Sequence, residues 1–259
     1  MVELIFSPHW FYGKDIGIDV VSILALFLIT WYSFRLYRAA RDGRSALFTI
    51  GFFSLMLSFL FKILTNFELY YSTIQTQTVE SIAFTYHVIN VSNIPFFLGF
   101  LGYRALTFLG LALLFLVYYK NRTDRVSLLL YAYFLFVAMY FTQFSYYVFF
   151  LTNFLFLALI TRHLWKHCVE KNNRNTLCLA ASFTVITVSQ LFFTFTGMFE
   201  VLYVFGELVQ LIGYLLLLWT LILIERRARF GASSVGSSVR FVSSSHSKRG
   251  IVHHHGKKA

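Results

Sequence analysis

The chemistry open to this chain is concentrated in a few polar side chains set inside long apolar stretches: Asp19, Lys62, Arg104, Asn153, Gln190, Glu207 and Gln210. A charge or amide surrounded by hydrocarbon costs several kcal/mol unless it is paired or faces a wet cavity. Lys62 and Arg104 are the basic residues inside these stretches, and Asp19 and Glu207 are the expected counter-charges, with Arg104 paired to Glu207. Tyr203, Glu207, Gln210 and Tyr214 recur at steps of four, three and four, which places them on one face of a helix. Two roles fit this set. It is either a structural layer of ion pairs and interhelical hydrogen bonds, or a pocket open to the outside that takes a small polar or ionic ligand.

Other chemistries lack their residues. Haem ligation within helices needs intramembrane histidines, but His9, His87, His163, His167, His246 and His253 to His255 fall in loops or tails. A retinal protein needs a lysine in the middle of its last span, where the charge is Glu207. The spacing of His163 and His167 beside Cys168 suits zinc but lacks a further ligand, so a solvated helix end is expected and no metal or cofactor is assigned. No HExxH and no intramembrane Ser–His or paired-aspartate arrangement is present, and a non-enzymatic protein is expected. A G-protein-coupled receptor would have the same orientation, yet Tyr118, Tyr119, Lys120 stand where an acidic–arginine pair would be.

The elements that must position these residues follow from composition. The chain has 259 residues, 58% hydrophobic and only 13% charged, with a mean hydropathy of +0.68. Ordinary soluble domains carry about a quarter charged residues, so a soluble domain is excluded. Runs of about twenty apolar residues bounded by charge predict seven membrane-spanning helices. They are Ile16 to Phe34, Ala46 to Leu64, Phe96 to Tyr119, Val126 to Tyr146, Tyr147 to Leu164, Leu177 to Phe195 and Leu202 to Ile224. The fourth and fifth run together, with only Thr142, Gln143 and Ser145 to mark a turn. Gly99, Gly102, Gly206 and Gly213 mark places where helices approach closely. The expected fold is all-α, a polytopic seven-helix bundle.

Orientation follows from lysine and arginine. All 22 except Lys14, Lys62 and Arg104 follow the first, third, fifth or seventh span. The positive-inside rule then puts the N-terminus outside, the C-terminus in the cytoplasm and the chain in the cell membrane, its polar residues in the outer half. The net charge of +11 thus points to anionic inner-leaflet headgroups, each attracting a basic residue by about 1 kcal/mol, and not to nucleic acid.

Residues 1–229 form the membrane domain. The outer loop Phe67 to Ile94 is expected to hold a short interfacial helix, and Asn90, Val91, Ser92 is a glycosylation sequon on that side. Residues 230–259, rich in Ser, His, Lys and Arg, read as a disordered basic tail. Cys168 and Cys178 read as unpaired thiols.

The segment WYSFRLYRAARDGRSALFTIGFFSLMLSFLFKIL, from Trp31 to Leu64, resembles the first hairpin of small seven-helix integral membrane proteins of prokaryotic type. It also resembles, more distantly, the seven-helix input modules of membrane sensor proteins. The resemblance implies a sensor-like role. Since no kinase, cyclase or coiled-coil output follows Arg229, signalling is expected to need a separate membrane or cytoplasmic partner. A sensor, receptor-like protein or accessory subunit is therefore the expected function, with a small-solute or ion permease as the alternative.

Overall fold

The computed structural model describes residues 9–11, 13–77, 94–119, 133, 136–141, 146–171 and 174–246. After a short 3-10 turn, His9–Phe11, six long helices follow: α1 Lys14–Ala40, α2 Gly43–Gln77, α3 Ile94–Tyr119, α4 Tyr146–Lys171, α5 Arg174–Thr194 and α6 Val201–His246. The chain divides into two units, Met1–Thr220 and Leu221–Ala259. The bundle and every candidate residue described below belong to the first.

Local chemistry sets the helix ends. Gly13 enters α1 with φ +82, a conformation open to a residue without a Cβ. Arg41 closes α1 in the left-handed region, its N–H donating to the Tyr37 carbonyl at 2.7 Å. Pro95 sits in the first turn of α3, where its missing N–H has no intrahelical partner to lose.

Among the described residues, six helices are long and apolar enough to cross a membrane. Large hydrophobic side chains cover their outward faces, including Leu24, Phe27 and Trp31 on α1 and Ile212, Leu216 and Trp219 on α6. A protein in water does not expose an apolar surface of this extent, whereas lipid solvates it. Trp10, Trp31, Trp165 and Trp219 are all exposed on this surface.

Side-chain contacts give the helix directions. Asp19 meets Lys62, and Asn66 meets Asp15, so α1 and α2 are antiparallel. Between α2 and α3, Thr65 lies at Gly99, Phe61 at Gly102, and Leu55 at Gly110, again antiparallel. In α4 and α5, Trp165 meets Thr184, Thr161 meets Thr187, and Phe150 stacks on Phe193. The pair α5 and α6 also run oppositely, with Ile186 at Gly213 and Phe193 at Gly206. By contrast α3 and α4 are parallel: Tyr103 and Phe108 touch Phe149, and Phe115 touches Phe156. Helices α1, α3, α4 and α6 therefore point one way and α2 and α5 the other.

The glycine contacts are tight. A Cβ on Gly213 would lie 2.5 Å from Ile186 Cγ1, and one on Gly99 would lie 2.7 Å from Thr65 Oγ1. Close backbone approach of this kind raises dispersion contact where lipid supplies no hydrophobic drive between helices.

Two helices run past the bounds read from the sequence. The stretch from Phe67 begins as a continuation of α2, which runs unbroken to Gln77, since lengthening an existing helix avoids a new nucleation step; residues 78–93 of the expected interfacial segment lie outside the described residues. For the same reason α6 extends to His246, into the stretch expected to be a disordered tail. Of the fourth span, residue 133 and residues 136–141 are described and helical, and Ala138 packs against Phe108 and Phe149. The sequon at Asn90 and the tail residues 247–259 lie outside the described residues.

Candidate functional site

Most hydroxyls in the bundle are absorbed by their own helices. Ser33, Thr49, Thr65, Thr107, Ser182 and Thr220 each donate to a carbonyl one turn back, at 2.7 to 2.8 Å. What remains is a layer of charges and amides within about two to three turns of the N-terminal ends of α1, α4 and α6.

Its centre is Lys62. The ammonium lies 2.8 Å from Asp19 Oδ1 and 2.5 Å from Glu207 Oε1, so one residue of α2 ties α1 to α6. Asp19 and Glu207 are fully buried, and only about 12% of the Lys62 side chain is exposed. The Phe59 ring, one turn earlier on α2, lies 5.4 Å from the ammonium and gives it a π face as well. Asp19 Oδ2 makes no hydrogen bond. Two carboxylates thus share one ammonium, which leaves one carboxylate in excess within the triad. Asp15, one turn before Asp19, is also fully buried and receives a 3.5 Å contact from Asn66 Nδ2.

The expected Arg104–Glu207 pair is not formed. Glu207 is held by Lys62, and Arg104 is buried elsewhere, its guanidinium 3.9 Å from the Phe100 ring and 5.3 Å from the Phe149 ring. Arg104 Nη1 has no hydrogen-bond partner. A helical side chain leans toward the N-terminus of its own helix, so Arg104 reaches back to Phe100 and to the start of α4. Lys62, on the antiparallel α2, faces the α1–α6 seam.

The amides form a second group. Asn153, Gln190 and Gln210 line a cavity of about 30 Å³ together with Tyr103, Thr107 and Tyr214, walled by Phe52, Phe59, Phe150, Phe183 and Phe193. Gln190 Nε2 donates to Ser189 Oγ at 3.3 Å, and Gln210 Nε2 donates to Tyr214 Oη at 3.1 Å. Asn153, 2% exposed, has an amide oxygen with no partner. Tyr203 is buried with Phe11, Phe193 and Val204 at the end of the bundle.

The single polar cluster expected from sequence is therefore two adjoining parts, an ion triad and an amide cavity, with Arg104 apart from both. Asp19, Arg104, Asn153, Gln190, Tyr203 and Glu207 are all buried, and Phe11 packs with Phe193, Tyr203 and Val204. Sequence reasoning missed Asp15 and Tyr103. The available signals were the one-turn spacing of Asp15 to Asp19 and of Tyr103 to Thr107.

Compared with known protein families, curated proteins and solved structures, the chain matches none. The resemblance of the Trp31 to Leu64 hairpin to sensor input modules gains no support there. The chain stands, on its own structure, as a multi-helix protein of the membrane-spanning kind.

Proposed function

We propose that the chain is a seven-span, non-enzymatic membrane protein of the sensor or receptor-like kind, acting alone or as an accessory subunit, in which Lys62 is a lock between α1 and α6. The observation that carries this reading is the shared ammonium. A cation held by two carboxylates on separate helices can keep either one, so anything that neutralises or displaces one carboxylate weakens one helix contact and leaves the other. That is a bistable element of the sort a ligand or partner can bias.

The count of seven rests on the parallel packing of α3 and α4. Two consecutive parallel spanning helices require the chain between them to cross back, and the apolar run Val126 to Tyr146 is long enough to do so. The same directions bring the C-terminal ends of α1, α3 and α4 to one face; basic residues crowd the ends of α1 and α4 in the sequence, and the positive-inside rule would assign such a face to the cytoplasm of a cell membrane. Anionic headgroups and an acidic protein partner are the natural neighbours of that face.

A permease is less favoured. The cavity has room for about two waters, and Phe11, Phe193 and Tyr203 pack at its end of the bundle.

The test uses the full chain in lipid nanodiscs with spin labels at Gly17→Cys and Leu208→Cys, both exposed positions on α1 and α6, after replacing Cys168 and Cys178. Lys62→Met should broaden or split the distance distribution, and Asp19→Asn should shift it in a different way from Glu207→Gln. An unchanged single distance in all three would reject the lock. Uptake of a solute by proteoliposomes would favour the permease instead.

A further inference from the structure

Lys62 is the point at which charge in the bundle does not balance. Its ammonium contacts Asp19 Oδ1 at 2.8 Å and Glu207 Oε1 at 2.5 Å, and both carboxyl groups are fully buried. The charged groups that face Asp19 are Asp15 on its own helix, Lys62 on α2 and Glu207 on α6. The Tyr103 hydroxyl of α3 and the Tyr203 hydroxyl of α6 stand close to all three members of the triad. Among the described residues Lys62 is thus the one cation beside these two carboxyl groups, because Arg104 is turned to Phe100 and Phe149.

An independent observation singles out one oxygen. Asp19 Oδ2 is buried and meets no hydrogen-bond donor, so an ionised Asp19 would hold charge there with nothing in place of the water it lost. No water-sized space touches this atom, and Asp19 does not line the amide cavity. A metal cation takes several oxygen ligands and needs a volume to sit in, whereas a proton needs neither. Bound to Oδ2, a proton makes Asp19 a neutral acid whose Oδ1 still accepts from Lys62. The ammonium then balances Glu207 alone.

We infer that Asp19 is a proton-binding site, which takes one proton from water onto Oδ2 and so brings the triad from one excess negative charge to none. The inference rests on the lock reading and names its ligand. Protonation loosens the hold of Lys62 on α1 and leaves its hold on α6, the unequal outcome that a two-state lock needs.

The experiment is infrared difference spectroscopy of the full-length protein in lipid bilayers, with and without carbon-13-labelled aspartate. The pH is stepped from alkaline to mildly acid, staying above the range of ~4 in which exposed carboxylates titrate. One protonated-carboxyl C=O band is expected to appear in this window, to move with labelled aspartate and to be lost in Asp19→Asn. Glu207→Gln leaves Lys62 a single carboxylate and should push the appearance of the band to lower pH, whereas Lys62→Met should bring it in at higher pH. Should a variant fail to fold, the isotope label in the unaltered chain still carries the test. No titrating band, a band that survives in folded Asp19→Asn, or one that moves with labelled glutamate instead would overturn the inference. The spin-label distances separate this result from the lock. In the unaltered chain at acid pH they should approach those of Asp19→Asn. If they respond to Lys62→Met but no such band titrates, the ligand is wrong and the lock stands. If the band titrates and the distances ignore pH, the proton site stands and the lock falls.

Discussion

Replacing Lys62 by methionine should be among the most damaging single changes in the bundle, and the structure gives the size. The substitution keeps most of the side-chain volume, so packing against Phe59 is little altered. It removes the ammonium that contacts Asp19 Oδ1 at 2.8 Å and Glu207 Oε1 at 2.5 Å. Both carboxylates are then left buried without a counter-charge, and breaking a buried pair from one side costs about 3 to 5 kcal/mol. Because ~1 kcal/mol shifts the midpoint of a chain this size by about 2 to 4 °C, a fall of roughly 6 to 20 °C is expected in the thermal unfolding of the detergent-solubilised protein. Neutralising the carboxylates as well, in Lys62→Met with Asp19→Asn and Glu207→Gln, should recover much of the loss, since no uncompensated charge remains. Glu207→Gln alone should cost less than Lys62→Met, because it leaves a one-to-one pair between Lys62 and Asp19. The reasoning is refuted if Lys62→Met lowers the midpoint no more than Leu24→Ala on the exposed face of α1, or if the triple replacement is worse than the single.

Three further outcomes follow from the same structure. Arg104→Met should be neutral or stabilising in the same thermal assay, because the guanidinium has aromatic faces but no carboxylate to abandon, and a cation–π contact is worth about 0.5 to 2 kcal/mol. Arg104→Ala and Glu207→Ala should be additive within about 0.5 kcal/mol, whereas Lys62→Ala and Glu207→Ala should not be, a contrast that a double-mutant cycle reads directly. Gly213→Ala, whose new methyl would sit 2.5 Å from Ile186 Cγ1, should cost about 1 to 3 kcal/mol by overpacking.

The membrane character and six of the spans were legible because hydrocarbon thickness imposes a length that composition alone reveals, as in Phe96 to Tyr119 against α3 Ile94–Tyr119. The helix ends were not: α2 runs on past Leu64 to Gln77, and nothing in residues 65–77 forbids a helix once it is nucleated. Which polar residues lie inside the bundle could be read from cost. How they pair could not, because pairing depends on rotation about each helix axis and on which way a side chain leans. Arg104 and Lys62 look equivalent as intramembrane cations, yet Arg104 reaches back to Phe100 on its own helix while Lys62 meets the α1–α6 seam. The cavity was illegible for a related reason. Asn153, Gln190 and Gln210 are on three helices, and only packing shows that two of the amides each give an N–H to a neighbour on their own helix.

The proposed seven-span topology depends on the chain crossing back between the parallel helices α3 and α4. Impermeant maleimide labelling in intact cells tests this most directly, in a chain whose Cys168 and Cys178 have been replaced by serine. Single cysteines would be placed at Trp10, 59% exposed before α1, and at Val169, 80% exposed near the end of α4. The account predicts that Trp10→Cys labels from outside and that Val169→Cys labels only after permeabilisation. Labelling of both from the same side would contradict it.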